Sequence, residues 1–552
     1  MSVASPNVTG TKTSWLPLIV VVLTQIQASF AVNALTVSMQ GITTDLSMPA
    51  TTIGTAITAG TFSMAAFILL GAKIGARYGS RTVFQVAVAF HALAMATIAA
   101  SVNPVMLLSA QAASGAVIAL IAPALVVFIS TSYSGPQQAK AIGFLAAAIP
   151  AAGVLALLIA GSFATTIGWR WSFLLITALG VVNLALSFRL KPVPRQATLV
   201  IDWTGAFIAA GSIILLSFGF GGLTSWGVFR ATPDAPLNVL GMSPAPILIV
   251  LGVIGVQYFF QWIAKAKRAG SAVIFDPEVL RSSEERATTF CMAAMLFVGT
   301  AANFLIPLYI QVVQGRTGIQ TSLAIIPYTI SIFVANSIVA SFYTRFGPRQ
   351  IARAGFLAVA LGLVIIAFTI RNDWEQVLIV LGLVILGIGQ GTIVALVFNT
   401  LLSVAPKRLA GDVGAWRGLV HNISGSIGIA LGTVFAVTML STFVLGGLNA
   451  NPNLPRDLQS QVALDRIDFV TNDRLKTVLA QTTATPTQVD AAVSLNETAR
   501  LQALKISLLA LAGFALLAVM PAGRMPRRMR MGDDDELTSE DDTEREPQPR
   551  AA

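Results

Sequence analysis

Residues 75–81 read Gly-Ala-Arg-Tyr-Gly-Ser-Arg, and residues 343–349 read Tyr-Thr-Arg-Phe-Gly-Pro-Arg. Each stretch separates two apolar runs and is therefore predicted to be a turn between two helices. The shared pattern is Arg, aromatic, Gly, any residue, Arg, and its members are Arg77, Gly79, Arg81, Arg345, Gly347 and Arg349. Glycine permits a tight turn, and the arginines can contact helix C-termini or anionic headgroups. The recurrence of the turn predicts a chain built from two equivalent halves.

The composition indicates a membrane protein. The 552 residues are 55% hydrophobic and 11% charged, and the mean hydropathy is +0.76, whereas soluble chains carry about 25% charged residues. About fourteen apolar runs are long enough to cross a roughly 30 Å hydrocarbon core. Because lipid cannot satisfy open backbone groups, these runs are predicted to be helices and the fold class is all-α. They lie at 15–38, 52–72, 82–101, 104–131, 141–167, 171–188, 203–221, 244–264, 287–313, 321–342, 354–370, 376–401, 413–445 and 503–523.

The basic residues of the short loops predict the orientation of the chain. Lysine and arginine accumulate in loops that stay in the cytoplasm. One side carries most of them, including Lys73, Lys140, Lys191 and Lys265, whereas the other side carries Arg170, Arg230, Arg316 and Arg371. We therefore expect a multi-pass protein of the cell's inner (plasma) membrane with both termini in the cytoplasm.

Counting from the two turns predicts the domain organisation. The polar stretch 449–501 interrupts the second half before the last span and is predicted to be an external, partly helical excursion. The acids and prolines of residues 531–552 are typical of a disordered cytoplasmic tail. The predicted units are a cytoplasmic N-terminus at 1–14, a six-helix bundle at 15–200, a two-helix insert at 201–268, a cytoplasmic linker at 269–286 and a second six-helix bundle at 287–530.

Several classes of function are disfavoured by the sequence. The single cysteine, Cys291, leaves no disulfide framework or cysteine metal site. There is no Gly-x-x-x-x-Gly-Lys-Ser/Thr loop, which counts against an ATP-driven pump, and no paired histidine and carboxylate cluster that suggests a catalytic metal. The net charge of +10 resides in short clusters between apolar runs, where it serves topology. We expect no enzyme activity, cofactor, metal or nucleic-acid partner.

Several local motifs carry a resemblance to a known family. In their order and spacing, they resemble the major facilitator superfamily, specifically its fourteen-span drug:proton antiporter branch, from about Trp15 to Arg530. The motifs are Pro-Leu-Tyr-Ile-Gln-Val-Val-Gln-Gly at 307–315, Thr-Ser-Leu-Ala-Ile-Ile-Pro at 321–327, Gly-Trp-Arg-Trp-Ser-Phe at 168–173, Gly-Ile-Gly-Gln-Gly at 387–391 and Ser-Gly-Ser-Ile-Gly-Ile-Ala at 424–430.

The resemblance implies two six-helix bundles plus two inserted helices, with the protein acting as a monomer among membrane lipids. It also implies secondary active transport by alternating access, with efflux of a small lipophilic or drug-like substrate and a proton as the coupling ion. Two alternatives stay open at this point. One is a lipid or metabolite transporter with altered or no proton coupling, and the other is a membrane scaffold that does not transport.

The chain departs from the family pattern at positions that the branch uses for coupling. Ala76 replaces the acid of the first turn, and Ala28 stands where span one often carries an acid. Gln111 aligns with an arginine of span four that is implicated in proton coupling, and Ser114 replaces a glutamine. The Gly-Pro step of span five aligns with Ala156-Leu157. The usual coupling groups are therefore largely missing.

None of the apolar runs contains Asp or Glu, which leaves histidine as the titratable candidate. An unperturbed histidine has a pKa of about 6.5 and can relay protons. Arg417 and His421 are four residues apart and share a helix face. They are predicted to meet a proton or an anionic substrate group, or else to be an interfacial arginine and a packed histidine. His91 is expected to be structural.

Neutral polar side chains predict the lining of a largely apolar cavity. Gln25, Ser29 and Asn33 recur every four residues in span one and share a face. Interhelical hydrogen bonds that only hold the bundle together are the alternative role for such residues. The cavity would suit a bulky lipophilic solute. The other candidates are Gln111, Ser114, Asn303, Gln311, Gln390 and Asn399.

Overall fold

A computed structural model describes residues 14–238, 240–343, 345–372, 377–404, 410–450 and 468–527. The predicted acidic tail, 531–552, lies outside these residues, as does nearly all of the predicted N-terminal segment, 1–14. Residues 451–467 of the predicted excursion also lie outside them.

The first half and the insert contain nine helices in the described ranges. Proline in the first turn begins α5 and α6, where its missing N–H costs nothing, and the Asn103 side chain caps α5 by accepting from the N–H of Met106 at 2.9 Å. The helices are α1 Leu16–Val37, α2 Met39–Asp45, α3 Thr51–Tyr78, α4 Ser80–Ala99, α5 Pro104–Ser132, α6 Gly135–Thr166, α7 Arg170–Ser187, α8 Trp203–Gly222 and α9 Pro244–Arg268.

The second half repeats this order with a longer C-terminal hairpin. Capping boxes at Ser282 with Glu285 and at Thr485 with Gln488 begin two of its helices. The helices are α10 Ser283–Leu308, which continues as a π-turn over Tyr309–Val313, α11 Gly318–Ile338, which continues as a 3-10 turn over Val339–Phe342, α12 Pro348–Thr369, α13 Val377–Val404, α14 Ala410–Ala450, α15 Asn472–Leu479 and α16 Pro486–Ala522.

Thirteen helices in the described ranges are long and apolar enough to cross a membrane. The remaining predicted span, 141–167, falls in α6, where Ala151–Thr166 forms a shorter apolar helix. The all-helical membrane fold expected from the sequence is confirmed. The last helix differs from the predicted span at 503–523, because α16 begins at Pro486 and carries Asp490, Glu497 and Arg500 in its first turns.

The packing of the helices shows that the two halves are equivalent. In the first half α3 packs on α5, α4 on α5 and α7, and α1 on α6 and α7. In the second half α11 packs on α13, α12 on α13 and α16, and α10 on α14 and α16, so every pair recurs at the corresponding place. The halves meet through α3 with α14 and through α6 with α11. Because α3 corresponds to α11 and α6 corresponds to α14, each of these two contacts is the counterpart of the other, as expected for a pseudo-two-fold arrangement.

The bundle has two ends. We call the end that carries Trp15, the two repeated turns and the end of α16 the terminal face. We call the opposite end, which carries α2, α15 and the start of α16, the excursion face. The insert lies beside the contact of α3 with α14: α8 packs on α3, with Phe220 stacked on Phe62 at 6.1 Å between ring centroids, and α9 packs on α8.

The two repeated turns use their glycines in different ways. Gly79 has φ +101°, which side chains other than glycine rarely adopt. Gly347 has φ −75°, but a Cβ there would lie 2.0 Å from the carbonyl oxygen of Arg527. One glycine is therefore required by backbone conformation and the other by close approach of the chain.

The arginines of the turns contact backbone carbonyls. Arg77 donates to Leu199 O at 3.1 Å, and Arg81 donates to Phe188 O, at the C-cap of α7, at 2.7 Å. Arg349 donates to Met525 O, and Arg345 is exposed over the ring of Phe346. Arg81 therefore reaches a helix C-terminus as predicted, and Arg349 ties its turn to the segment that follows α16.

Alanine at the two turn glycines tests this difference. Gly79→Ala should lower stability by at least about 1 kcal/mol through its positive φ, and Gly347→Ala should lower it through the clash with the Arg527 carbonyl. Gly513→Ala in α16 is the control, because its Cβ would meet nothing within 4 Å. Thermal unfolding of purified protein measures all three variants. A Gly79→Ala melting temperature equal to that of Gly513→Ala would contradict the strain argument.

Candidate functional site

The polar residues of α1 lie on one face, as their spacing predicts. Gln25 Nε2 donates to Ser29 Oγ at 3.0 Å, and Asn33 Nδ2 donates to the Ser29 carbonyl at 2.8 Å. All three side chains are partly exposed. Because these bonds run along their own helix, the residues do not hold α1 to a neighbour through them and stay available to a solute.

A second polar group joins three helices of the second half. Tyr328 of α11 donates from its hydroxyl to Gln390 Oε1 of α13 at 2.7 Å, and it is also hydrogen-bonded to Asn303 of α10. Tyr328 and Gln390 are buried, whereas Asn303 is exposed. Asn303 and Gln390 are thus brought together through Tyr328. Sequence reasoning missed this tyrosine because nothing in its local pattern marks it as a partner for amides on two other helices.

Three other predicted lining residues lie elsewhere. Gln111 and Ser114 are buried on α5, and a Cβ on Gly60 of α3 would lie 3.0 Å from Gln111 Nε2. They therefore occupy the tight contact between α3 and α5. Asn399 donates to the hydroxyl of Tyr343 at 3.3 Å, close to the terminal face.

Gln311 joins the two halves at the excursion face. Its Oε1 accepts from the N–H of Gln40 at 3.1 Å, and its Nε2 donates to the carbonyl of Thr36 at 2.9 Å. The side chain is completely buried. Ser322 of α11 donates to Leu157 O of α6 at 2.5 Å on the same end of the bundle. The structure is therefore closed at the excursion face, and Gln311 belongs to the closure.

Arg417 and His421 lie one turn apart on α14, as predicted. Arg417 is partly buried. His421 has an exposed side chain although it lies deep among protein atoms, and it therefore faces an internal opening of the bundle. The neighbouring Trp416 stacks on Phe275 of the segment before α10 at 5.1 Å between centroids, and Gly418 adjoins Ile68 of α3. The pair thus lies in the half of the bundle near the terminal face.

His91 belongs to a buried network away from this region. Its Nδ1 lies 2.7 Å from Gln27 Nε2, and Asn183 Nδ2 donates to Gln27 Oε1 at 2.9 Å. These bonds tie α4, α1 and α7 together. The network fits the structural role that the sequence predicts for His91.

An apolar cavity of about 420 Å³, widely open to its surroundings, lies between α1 and α6 of the first half near the terminal face, and its residues Ile19 and Phe144 are 48% and 56% exposed. Its volume is within the usual range for small-molecule sites, about 300–1,000 Å³. In the described part of the chain, the only polar group among the lining side chains is the indole N–H of Trp15. The lining residues are Trp15, Leu18, Ile19, Val22, Leu23 and Phe144.

Two equivalent helical bundles, closed against each other at one end and provided with an apolar cavity near the other, define a polytopic membrane transporter. The family model of the Major Facilitator Superfamily matches residues 21–429. The chain belongs to this superfamily, and the resemblance found in its motifs is confirmed at that level. Membership identifies a transporter and not an enzyme.

Related proteins include several associated with antibiotics. The chain is 25% identical to a puromycin resistance protein of Streptomyces alboniger over 426 residues, which cover 76% of this chain and 80% of the relative. It is 24% identical to a tetracenomycin C resistance and export protein of Streptomyces glaucescens, with 71% of this chain and 70% of the relative covered.

Solved structures confirm the fold. A bacterial homologue of the human lysosomal transporter Spinster, inward-facing and unoccupied, gives a TM-score of 0.57 at 16% identity and covers 92% of this chain and 96% of its own. A peptide transporter in complex with sulfate gives 0.58 at 12% identity and covers 93% and 96%. At these identities the likeness extends to the fold alone.

The contacts of Gln311 predict its role in the closed excursion face. Gln311→Ala leaves the N–H of Gln40 and the carbonyl of Thr36 without their partners, a loss of about 1–3 kcal/mol for the closed form. The ratio of closed to open protein should fall about 5- to 150-fold.

Pulsed electron paramagnetic resonance measures this ratio. Spin labels at Val102 and Asn372 report the distance between the halves, because both positions are exposed at the excursion face. Cys291→Ala removes the native thiol. Gln25→Ala is the matched control, since its bond remains within α1. Equal distance distributions for the two variants would show that Gln311 does not hold the face closed.

Proposed function

We propose that the protein exports lipophilic, drug-like compounds across the inner (plasma) membrane by alternating access, with the terminal face toward the cytoplasm. The observation that carries the proposal is the apolar cavity beside α1, which lies at the end opposite the closed excursion face. A binding site that is open at the terminal face and closed at the excursion face receives its solute from the terminal side. The distribution of basic loop residues favours a cytoplasmic location for that side.

The chemistry of the cavity supports a lipophilic substrate. Burial of apolar surface provides about 25 cal/mol per Å², and the described wall offers no fixed charge and only the indole N–H of Trp15 as a hydrogen-bonding group, too few to select a sugar or a metal ion. The polar face of α1 and the exposed Asn303 then supply a few amide and hydroxyl contacts. The resistance and export relatives add support for drug-like compounds. Lipid or metabolite transport by the same cavity is the alternative.

Filling the cavity tests the proposal. Ile19→Trp places a large ring in the apolar cavity and should reduce export of a lipophilic dye from intact cells by roughly tenfold, equivalent to about 1.4 kcal/mol of lost binding. Ile214→Trp is the matched control, because Ile214 lies 39% exposed on α8 outside the cavity. Membrane content of both variants is measured by immunoblot.

Resistance of a host without its own efflux pumps provides the second readout. Wild-type protein should raise the inhibitory concentration of lipophilic antibiotics, and Ile19→Trp should not. Equal export by Ile19→Trp and wild type would exclude the cavity as the substrate site. Lack of resistance with transport of labelled lipid would favour the alternative.

We also propose that His421 carries the coupling proton. Its exposure inside the bundle, one turn from Arg417, gives it access to water and to a neighbouring positive charge. Protonation of His421 changes the charge that the pair presents to an anionic substrate group. Protonation can therefore be linked to substrate binding. Arg417 then contributes electrostatically or contacts an anionic part of the substrate.

Substitution of the two histidines separates coupling from structure. His421→Gln keeps a polar side chain that cannot gain a proton, so uptake driven by a pH gradient into proteoliposomes should be lost while substrate counterflow persists. His91→Gln, which changes the other histidine of the sequence, should retain gradient-driven uptake in the protein that folds. Concentration of substrate by His421→Gln at the wild-type rate would reject the role.

A further inference from the structure

The segment between α14 and α16 is fixed to the second half by a buried arginine. Arg500 of α16 is completely buried, and its guanidinium donates to the carbonyl of Val312 at 3.2 Å, to the carbonyl of Val470 and to Asn472 Oδ1. Phe469 of the segment is also buried. These bonds anchor residues 468–472 to α10 and α16.

The same segment contacts the first half through a carboxylate. Thr51 Oγ1, in the first turn of α3, donates to Asp468 Oδ2. The N–H of Phe469 donates to Asp468 Oδ1 at 2.6 Å. Arg474 Nη2 adds a longer bond of 3.5 Å to the carbonyl of Ser47. The contact between Asp468 and Thr51 thus crosses between the halves at the excursion face.

A small polar cavity adjoins Thr51. Its volume of about 10 Å³ suits about one water molecule. The buried hydroxyl of Thr58 in its wall has no hydrogen-bond partner in the described structure. The cavity lies where α3, α8 and α14 meet, and its other polar lining residues are Thr51, Thr55, Thr224 and Thr433.

Among the described residues, three charged groups of the excursion face have partners other than Asp468. Arg500 binds Val470 and Asn472, Glu497 accepts from Asn472, and Asp45 accepts from Trp169 and Arg170. The excursion-facing parts of α3, α8 and α14 carry no charged residue in the described ranges. In the described ranges, the other charged groups on adjoining segments are Arg230, Asp234, Arg316, Arg371, Asp473, Arg474, Lys476 and Asp490. Burial raises the pKa of Asp468 to about 6, against the lowering effect of its bonds to Thr51 and Phe469.

We infer that Asp468, held by Thr51, is a proton-binding site whose occupancy is linked to closure of the excursion face. This inference rests on the alternating access of the proposed function. When the face opens, the bond between Asp468 and Thr51 breaks and the carboxylate, which is partly exposed in the closed form, becomes fully hydrated. The open form therefore binds the proton more weakly than the closed form does, and protonation favours closure.

The sign and range of the effect follow from the two pKa values. In the open form Asp468 returns to the ordinary pKa of aspartate, about 3.9, and in the closed form its pKa is about 6. Each pKa unit of difference changes the ratio of closed to open protein about tenfold. The ratio should fall roughly a hundredfold in total as pH rises from about 3 to about 7, with roughly thirtyfold of that between pH 4 and 6, and should be constant above about pH 7.

The labels at Val102 and Asn372 test the inference without substrate. In the Cys291→Ala protein reconstituted in nanodiscs, the closed population should decrease between pH 4 and 6. Asp468→Asn, which resembles the protonated form, should remain closed across this range. Asp473→Asn is the matched control, because this exposed acid lies on the same segment, and it should follow the wild-type profile. The closed population is measured without substrate, so it would still respond to pH if the protein proved not to export lipophilic compounds.

A second variant keeps the test independent of the folding of Asp468→Asn. Thr51→Val retains the carboxyl group but removes a hydrogen bond that lowers its pKa, so the pH window should move upward. The inference is overturned if Asp468→Asn keeps the wild-type pH response, if Thr51→Val leaves the window unchanged, or if the wild-type closed population does not respond to pH. Response to sodium at constant pH in place of protons would also overturn it.

Discussion

The two halves are held together by a pair of equivalent helix contacts, and the rest of the structure depends on them. Small residues let the backbones approach: Gly161 of α6 lies against Gly318 and Ser322 of α11, and Thr61 of α3 is 2.6 Å from Ser426 of α14. In a bilayer such close packing and interhelical hydrogen bonds replace the hydrophobic effect as the source of helix association. Contacts of this kind can form and separate without exposing a large apolar core to water.

The closed end is strengthened by polar groups that bridge the halves in addition to the helix contacts. Gln311 satisfies two backbone groups of the first half, and Asp468 accepts from Thr51. Both bonds must break when the excursion face opens. In the proposed cycle, opening breaks these few hydrogen bonds, binding of substrate or protons offsets their loss, and the two bundles stay intact. The apolar cavity at the other end remains available while these bonds hold.

The helices and the two equivalent halves could be predicted from the sequence because both depend on local sequence patterns. The apolar runs indicated the spans. The repeated turn indicated which helices of the two halves correspond, and the helix packing follows that correspondence. The roles of individual polar residues were harder to predict. Gln25, Ser29 and Asn33 share a helix face because of their regular spacing. Gln311 and Gln111 were predicted to line the cavity as well, but Gln311 lies in the closure of the excursion face and Gln111 lies in the contact between α3 and α5. These outcomes depend on which helix faces which, and no local pattern records that.

The acidic groups show the same limit. Spans without Asp or Glu left histidine as the titratable candidate within them, yet the excursion brings Asp468 against the end of α3 across a sequence separation of 417 residues. Its position comes from the anchoring of that segment by Arg500, a residue predicted to lie in a polar loop and found buried in α16. A polar stretch between spans can therefore supply a group that the spans lack.

The central claim is that this protein moves lipophilic compounds by alternating between closure at its two faces. The most direct test is accumulation of a lipophilic dye in liposomes that contain the purified protein, under imposed pH, sodium or voltage gradients. The account predicts accumulation that requires a pH gradient and is inhibited when free cysteines introduced in the two halves are cross-linked across the excursion face. Correctly folded protein that moves no dye under any gradient, or that moves it equally well when the face is locked, would contradict it.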